Sequence, residues 1–262
     1  MRPERAPGPL AALLLAVAMA GCGATPARRD PPATRDADGR EQAVQTNVRL
    51  GQGYLSQGKL ELARDKLLRA LELDPRSVPA HTVVAILYER IGDRERARVH
   101  YRRSVELAPA AGDAQNNYAT FLCQEGNYEE ADRRFGLALD DPFYRTPAVA
   151  LSNRGACALS AGRAEAAEES LRRAVQLAPD MPDALYGLAR ATFARGDFLR
   201  ARAFVQRYEA TGASGAEGLL LGYEIERSLG NMPGANDYRQ RLLAQFPDSE
   251  AARRLEGEGV PQ

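Results

Sequence analysis

Five side chains in this sequence are the first candidates for chemistry: Cys22, Cys123 and Cys157, and the two histidines, His81 and His100. A thiol can be acylated, oxidised or deprotonated to bind metal. Cys22 stands directly after Met19-Ala20-Gly21, at the end of the apolar run from Leu10 to Ala20. Cys123 and Cys157 allow two readings: a disulfide in an oxidising compartment, or two buried thiols that act as small apolar fillers. The histidines lack the neighbouring cysteines or carboxylates that zinc spacing requires, so no metal site is expected. Gly51-Gln52-Gly53 falls in a helical stretch without the strand–turn–helix setting of a phosphate loop. No Ser–His–acid set is suggested. The sequence therefore points away from an enzyme and calls for no cofactor.

The elements that place these residues begin with the N-terminus. Met1-Arg2-Pro3-Glu4-Arg5 is a short, net positive start, and the apolar run behind it is about half the ~20 residues that cross a bilayer. It reads as the central part of a secretory signal peptide over 1–21. Its end resembles the bacterial lipoprotein box, in which the cysteine sulfur takes a diacylglycerol before cleavage and the freed amine is then acylated. The resemblance implies lipidation at Cys22; the plainer alternative is ordinary cleavage beside a chance cysteine. Two or more acyl chains anchor stably where one does not. Residue 23 is Gly rather than Asp, which in Gram-negative lipoproteins implies export to the outer membrane. From Gly23 onward the chain is rich in Pro, Ala, Arg and Asp with no apolar period, so residues 22–43 are expected to form a disordered tether. About 20 such residues have a root-mean-square reach of ~25 Å.

The remaining chain is rich in Ala, Leu, Arg and Glu, all strong helix formers, and predicts an all-α protein. Its 35 basic and 35 acidic residues balance, so no basic stripe is present to attract nucleic acid. Glycines recur at 58, 92, 126, 162, 196 and 230, each followed five residues later by an alanine: Ala63, Ala97, Ala131, Ala167, Ala201 and Ala235. Twelve residues beyond the alanine come Pro75, Pro109, Pro179 and Pro247, with Phe143 and Ala213 in the other two units. In length and small-residue positions this period resembles the tetratricopeptide repeat. It implies a right-handed superhelix, an α-solenoid of six repeats over 44–249: 44–77, 78–111, 112–147, 148–181, 182–215 and 216–249. Each repeat is two antiparallel helices. The glycine ends the first in a left-handed conformation, the alanine lies where the helices cross, and the proline follows the second. Leu50, Gly51 and Tyr54 are expected in the core of repeat one, as are their counterparts in repeats two and three. Repeat four, with Arg154 in the large slot, and repeat six, with Gly222 before Tyr223, are the least regular. Two extra residues between Asp140 and Pro147 make a bulged loop, either a neutral insertion or a contact. Residues 250–262 are expected to continue the last helix as a polar cap and tail.

The first helices should line a concave groove suited to an extended or helical peptide. Its expected lining includes Val48, Gln52 and Leu55 in repeat one, Thr82, Ile86 and Glu89 in repeat two, Asn116 in repeat three, and Tyr186, Arg190 and Phe193 in repeat five. Val48, Leu55 and Ile86 place apolar groups on slots where no core role is required, so docking is expected mainly at the N-terminal repeats, with the repeat-five residues next. Cys123 and Cys157 fall on adjacent first helices and could approach within the roughly 7 Å between α-carbons that a bridge needs.

Asn116-Asn117-Tyr118-Ala119-Thr120-Phe121-Leu122-Cys123-Gln124-Glu125-Gly126, then Tyr144-Arg145-Thr146-Pro147 and Asn153-Arg154-Gly155-Ala156-Cys157-Ala158-Leu159, resemble the type IV pilus biogenesis lipoproteins of the PilF/PilW family. The lipobox, repeat count, insertion and two cysteines agree with that family; Arg154 departs from the Ala expected at its position. The resemblance implies a pilotin, lipid-anchored on the periplasmic face of the outer membrane. Such a protein binds the pilus secretin subunit and promotes its outer-membrane localisation and multimerisation. The alternative is another tetratricopeptide-repeat lipoprotein adaptor, serving peptidoglycan hydrolases or outer-membrane assembly.

Overall fold

The computed structural model describes residues 32–257, with side chains from residue 37. The signal peptide, Cys22 and residues 23–31 lie outside the described residues, as do 258–262. The chain divides into two compact units, residues 1–39 and 40–262. Of the first, only the opening turns of a helix are described. The second is an all-α repeat superhelix.

Six first helices, α1 (Pro32–Ser56), α3 (Val78–Ile91), α5 (Gly112–Gln124), α7 (Pro147–Ser160), α9 (Pro182–Ala194) and α11 (Ala216–Ser228), alternate with six second helices. These are α2 (Leu60–Leu73), α4 (Arg94–Leu107), α6 (Tyr128–Leu139), α8 (Ala164–Leu177), α10 (Phe198–Ala210) and α12 (Met232–Gln245). A final helix, α13 (Glu250–Gly257), packs on α11 and α12. The first helices begin within one residue of the expected repeat boundaries from repeat two onward. Consecutive first helices from α3 to α11 touch one another, whereas consecutive second helices make no such contact among the described residues. The first helices therefore form the inner face of the curve.

The small residues act as the period implies. All six repeat glycines have positive φ, from 71° at Gly58 and Gly162 to 85° at Gly92, the left-handed turn that a side chain would strain. The six alanines are fully buried. Gly155 lets α7 approach α8: a Cβ there would stand 2.4 Å from Leu171 Cγ. In repeat six the same role falls to Gly222, where a Cβ would stand 2.4 Å from the Tyr238 ring. The reversed Gly222-Tyr223 order thus seats Tyr238 against α11. Repeat five lacks the closing proline and turns instead through Gly212 at φ 80°.

Four expectations are corrected. Residues 32–43 are not tether but the first turns of α1. Leu50 is 43% exposed rather than core, because no second helix precedes repeat one among the described residues. Arg154 fills no core slot: its Nε and Nη2 donate to Asp132 at 2.6 and 3.0 Å, and those bonds hold the Asp132 carboxyl below its ordinary pKa. The C-terminal cap does not continue α12. The chain breaks at Phe246-Pro247, and α13 buries Ala251, Ala252 and Leu255 against the last hairpin.

The loop between repeats three and four is held in place. Asp141 Oδ2 accepts from the Gly112 amide at 2.8 Å, and Asp141 Oδ1 from that of Phe143 at 2.9 Å. Tyr144 is buried over Gly112, where a Cβ would meet its ring at 2.7 Å. Charged seams join the repeats as well. Glu168, with its side chain only 6% exposed, accepts from Arg195 at 2.5 Å and pairs with Arg172 at 2.7 Å and with Arg200. Glu226 accepts from Arg202 at 2.6 Å. In each pair the carboxylate is buried while the arginine stays partly exposed, so solvent screens the attraction.

The histidines meet. His81 Nε2 lies 3.1 Å from the Pro75 carbonyl, which can only accept, so Nε2 carries the proton. His81 Nδ1 then accepts from His100 Nδ1–H at 2.9 Å, and Tyr88 stacks on His100. Burial lowers both pKa values, that of His100 from 6.5 to about 4. As pH falls from 6.5 towards 4, the unfolded chain takes up protons that the folded pair refuses, so this contribution to stability is lost on acidification. The urea midpoint of the wild type should fall between pH 7 and pH 5, and more steeply than that of His100→Phe. Equal slopes would show that the pair is not responsible.

Candidate protein-binding groove

The inner face of repeats four to six carries an open cleft of about 470 Å³. Its floor is Leu159 from α7, Phe193 from α9, and Leu220 and Leu221 from α11. Tyr186, Arg190 and Phe193 share one face of α9, each about one helical turn from the next, and Ala194 lies one turn beyond Arg190. Tyr186 is half-buried against Tyr208, with ring centroids 5.6 Å apart, and burial raises its pKa. Phe193 is held by Phe198, at 5.5 Å. The Arg190 guanidinium lies 5.8 Å from the Tyr186 ring centroid, a cation–π contact. At the far rim, Arg254 of α13 reaches Glu217 and Glu224, both at 3.5 Å. An apolar floor with charged edges can hold a peptide by burying its apolar side chains and fix its direction by charge.

The three repeat-five residues singled out in the sequence thus come together on one cleft. The N-terminal set does not stay free. Val48 and Leu55 are buried, at 6% and 5% exposure, in the same apolar cluster as Val83 and Leu87. The expectation that these slots carry no core role is wrong: they pack repeat one on repeat two, and Arg90 Nη1 donates to the Leu55 carbonyl at 2.8 Å across that joint. Thr82 is buried and donates to the Val78 carbonyl, at 3.0 Å. Asn116 is buried and accepts from Asn153 at 3.2 Å. Glu89 is half-buried and accepts from the Tyr101 hydroxyl; burial raises its pKa, partly opposed by that bond. Ile86 is half-buried and Gln52 exposed. Cys123 and Cys157 are bonded as a disulfide between α5 and α7, with α-carbons 5.7 Å apart.

Comparison with known proteins places this geometry. The tetratricopeptide-repeat family matches residues 48–110, 82–138 and 158–218. The type IV pilus assembly protein PilF of Pseudomonas aeruginosa is 28% identical over 236 residues, 90% of this chain and 92% of that protein. The solved structure of PilF superposes with a TM-score of 0.75 at 27% identity, over 84% of this chain and 99% of that one. PilW, described as a widely conserved type IV pilus biogenesis factor, superposes with a TM-score of 0.77 at 30% identity, over 82% of this chain and 99% of that one. The chain belongs to the PilF/PilW family of tetratricopeptide-repeat proteins.

Within this PilF/PilW-family chain, sequence reasoning missed Leu159, Leu220, Leu221, Glu217, Glu224 and Arg254 as groove residues. The last comes from α13, a helix that the repeat period does not announce. The others fall in the two irregular repeats, where slot counting is weakest.

Proposed function

We propose that this protein is a pilotin: a lipid-anchored outer-membrane protein that acts in type IV pilus biogenesis by binding the secretin subunit and promoting its localisation and multimerisation. The observation that carries the reading is the match to PilF and PilW across nearly their whole length, together with a groove of peptide-binding character in the same repeats. Secretin subunits expose apolar segments that must cross the periplasm without aggregating. A repeat groove masks such a segment, and a lipid at Cys22 delivers the complex to the membrane. The fold acts as a scaffold in this reading, and the docking site is the repeat four-to-six groove, with Gln52, Ile86 and Glu89 on the N-terminal part of the inner face.

Cys22→Ala should leave a soluble periplasmic protein that takes up no palmitate, and the secretin should lose its enrichment in outer-membrane fractions. Unchanged fractionation and labelling would remove Cys22 as the anchor. A secretin that stays enriched without the anchor would remove the delivery role.

A further inference from the structure

Four charged residues line the cleft between repeats four and six: Arg190, Arg254, Glu217 and Glu224. Arg254 stands with both carboxylates, at 3.5 Å each. Arg190 has no ion pair or hydrogen bond among the described residues; its guanidinium lies 5.8 Å from the Tyr186 ring centroid. The guanidinium is exposed at the edge of the cleft, beside that ring, and its N–H groups are unspent among the described residues. A planar fork of donors in that setting matches a carboxylate and gains strength as water is excluded.

We propose that Arg190 is the specificity-determining residue of the groove and that the docked segment pairs an acidic side chain with a bulky apolar one. The carboxylate sits on Arg190, and the apolar side chain fills the space over Leu159, Phe193 and Leu220. Arg190 and Phe193 are three positions apart on α9, a rise of about 4.5 Å along the helix. A docked helix would meet both with an acid at one position and an apolar residue four positions on. The inference rests on the proposal that the groove takes a protein segment, and it deepens that proposal by naming the chemistry of the segment.

The test has two arms, both with the full mature protein. In the first, the soluble periplasmic fragment of the secretin is titrated into wild type, Arg190→Glu and Arg190→Gln, each checked for native circular dichroism. Arg190→Glu should bind at least tenfold more weakly, with Arg190→Gln between it and the wild type. Folded variants that bind like the wild type overturn the inference and leave the secretin reading standing. A wild type that does not bind the fragment overturns the secretin reading, and the second arm then judges Arg190 alone. There, an alanine-based helical peptide of about 15 residues carrying Glu-Ala-Ala-Ala-Leu, and its Gln counterpart, are followed by the chemical shift of the Phe193 backbone amide, which both proteins retain. The Glu peptide should move that signal at concentrations at least tenfold lower, and Arg190→Gln should abolish the difference between the peptides. Equal responses overturn the inference.

Discussion

Ala167→Arg should all but dismantle repeat four. Ala167 is fully buried where α8 crosses α7, in a cluster with Leu151, Leu171, Ala174 and Leu188. Leu171, one turn on, is already wedged between Gly155 and Gly187, where added methyl groups would lie 2.4 and 2.7 Å away. There is no slack for a longer side chain. Overpacking alone costs about 1–3 kcal/mol, and an unpaired guanidinium in an apolar crossing raises the loss to about 4 kcal/mol or more. Ala166→Arg, one residue earlier and exposed, should stay within about 0.5 kcal/mol of the wild type. Urea titration of both variants measures this. Equal midpoints would mean that the alanine period does not mark the helix crossings.

Reducing the Cys123–Cys157 bond should be the second large effect. The bridge closes a segment of 34 residues between repeats three and four. On the chain-entropy view, losing such a cross-link costs about 3–4 kcal/mol, because the unfolded chain regains the freedom that the bridge removed. Repeats three and four should then melt at lower temperature in reductant, and Cys123→Ala with Cys157→Ala should melt alike with and without it. Mass spectrometry of non-reduced peptides should find the two cysteines linked. Free alkylation of both thiols in the native, unreduced protein would contradict the bridge.

Local chemistry made most of the fold legible. Gly58 and its five counterparts need positive φ, and Ala63 and its counterparts need full burial, so both leave a fixed residue type at a fixed spacing. Residues whose role depends on a neighbouring repeat were harder to place. Val48 and Leu55 occupy slots that face a groove in an isolated repeat, yet stacking on repeat two buries them. His81 and His100 lie on different helices 19 residues apart, and only the packing of α3 on α4 brings their rings together. Tyr186, Arg190 and Phe193 were readable because all three stand on one face of one helix. The opposite wall was not, since α11 shifts its small residue to Gly222 and Arg254 comes from a helix beyond the last repeat.

Calorimetric titration tests most directly whether the repeat array holds a secretin subunit, as proposed. The mature wild-type protein, without its lipid, is titrated with the soluble periplasmic fragment of the type IV pilus secretin from the same cell. Saturable one-to-one binding is expected, with a dissociation constant of about 1 μM or tighter, roughly −8 kcal/mol, and a negative heat-capacity change from apolar burial. No heat of binding at concentrations up to about 100 μM, with both proteins folded, would contradict it.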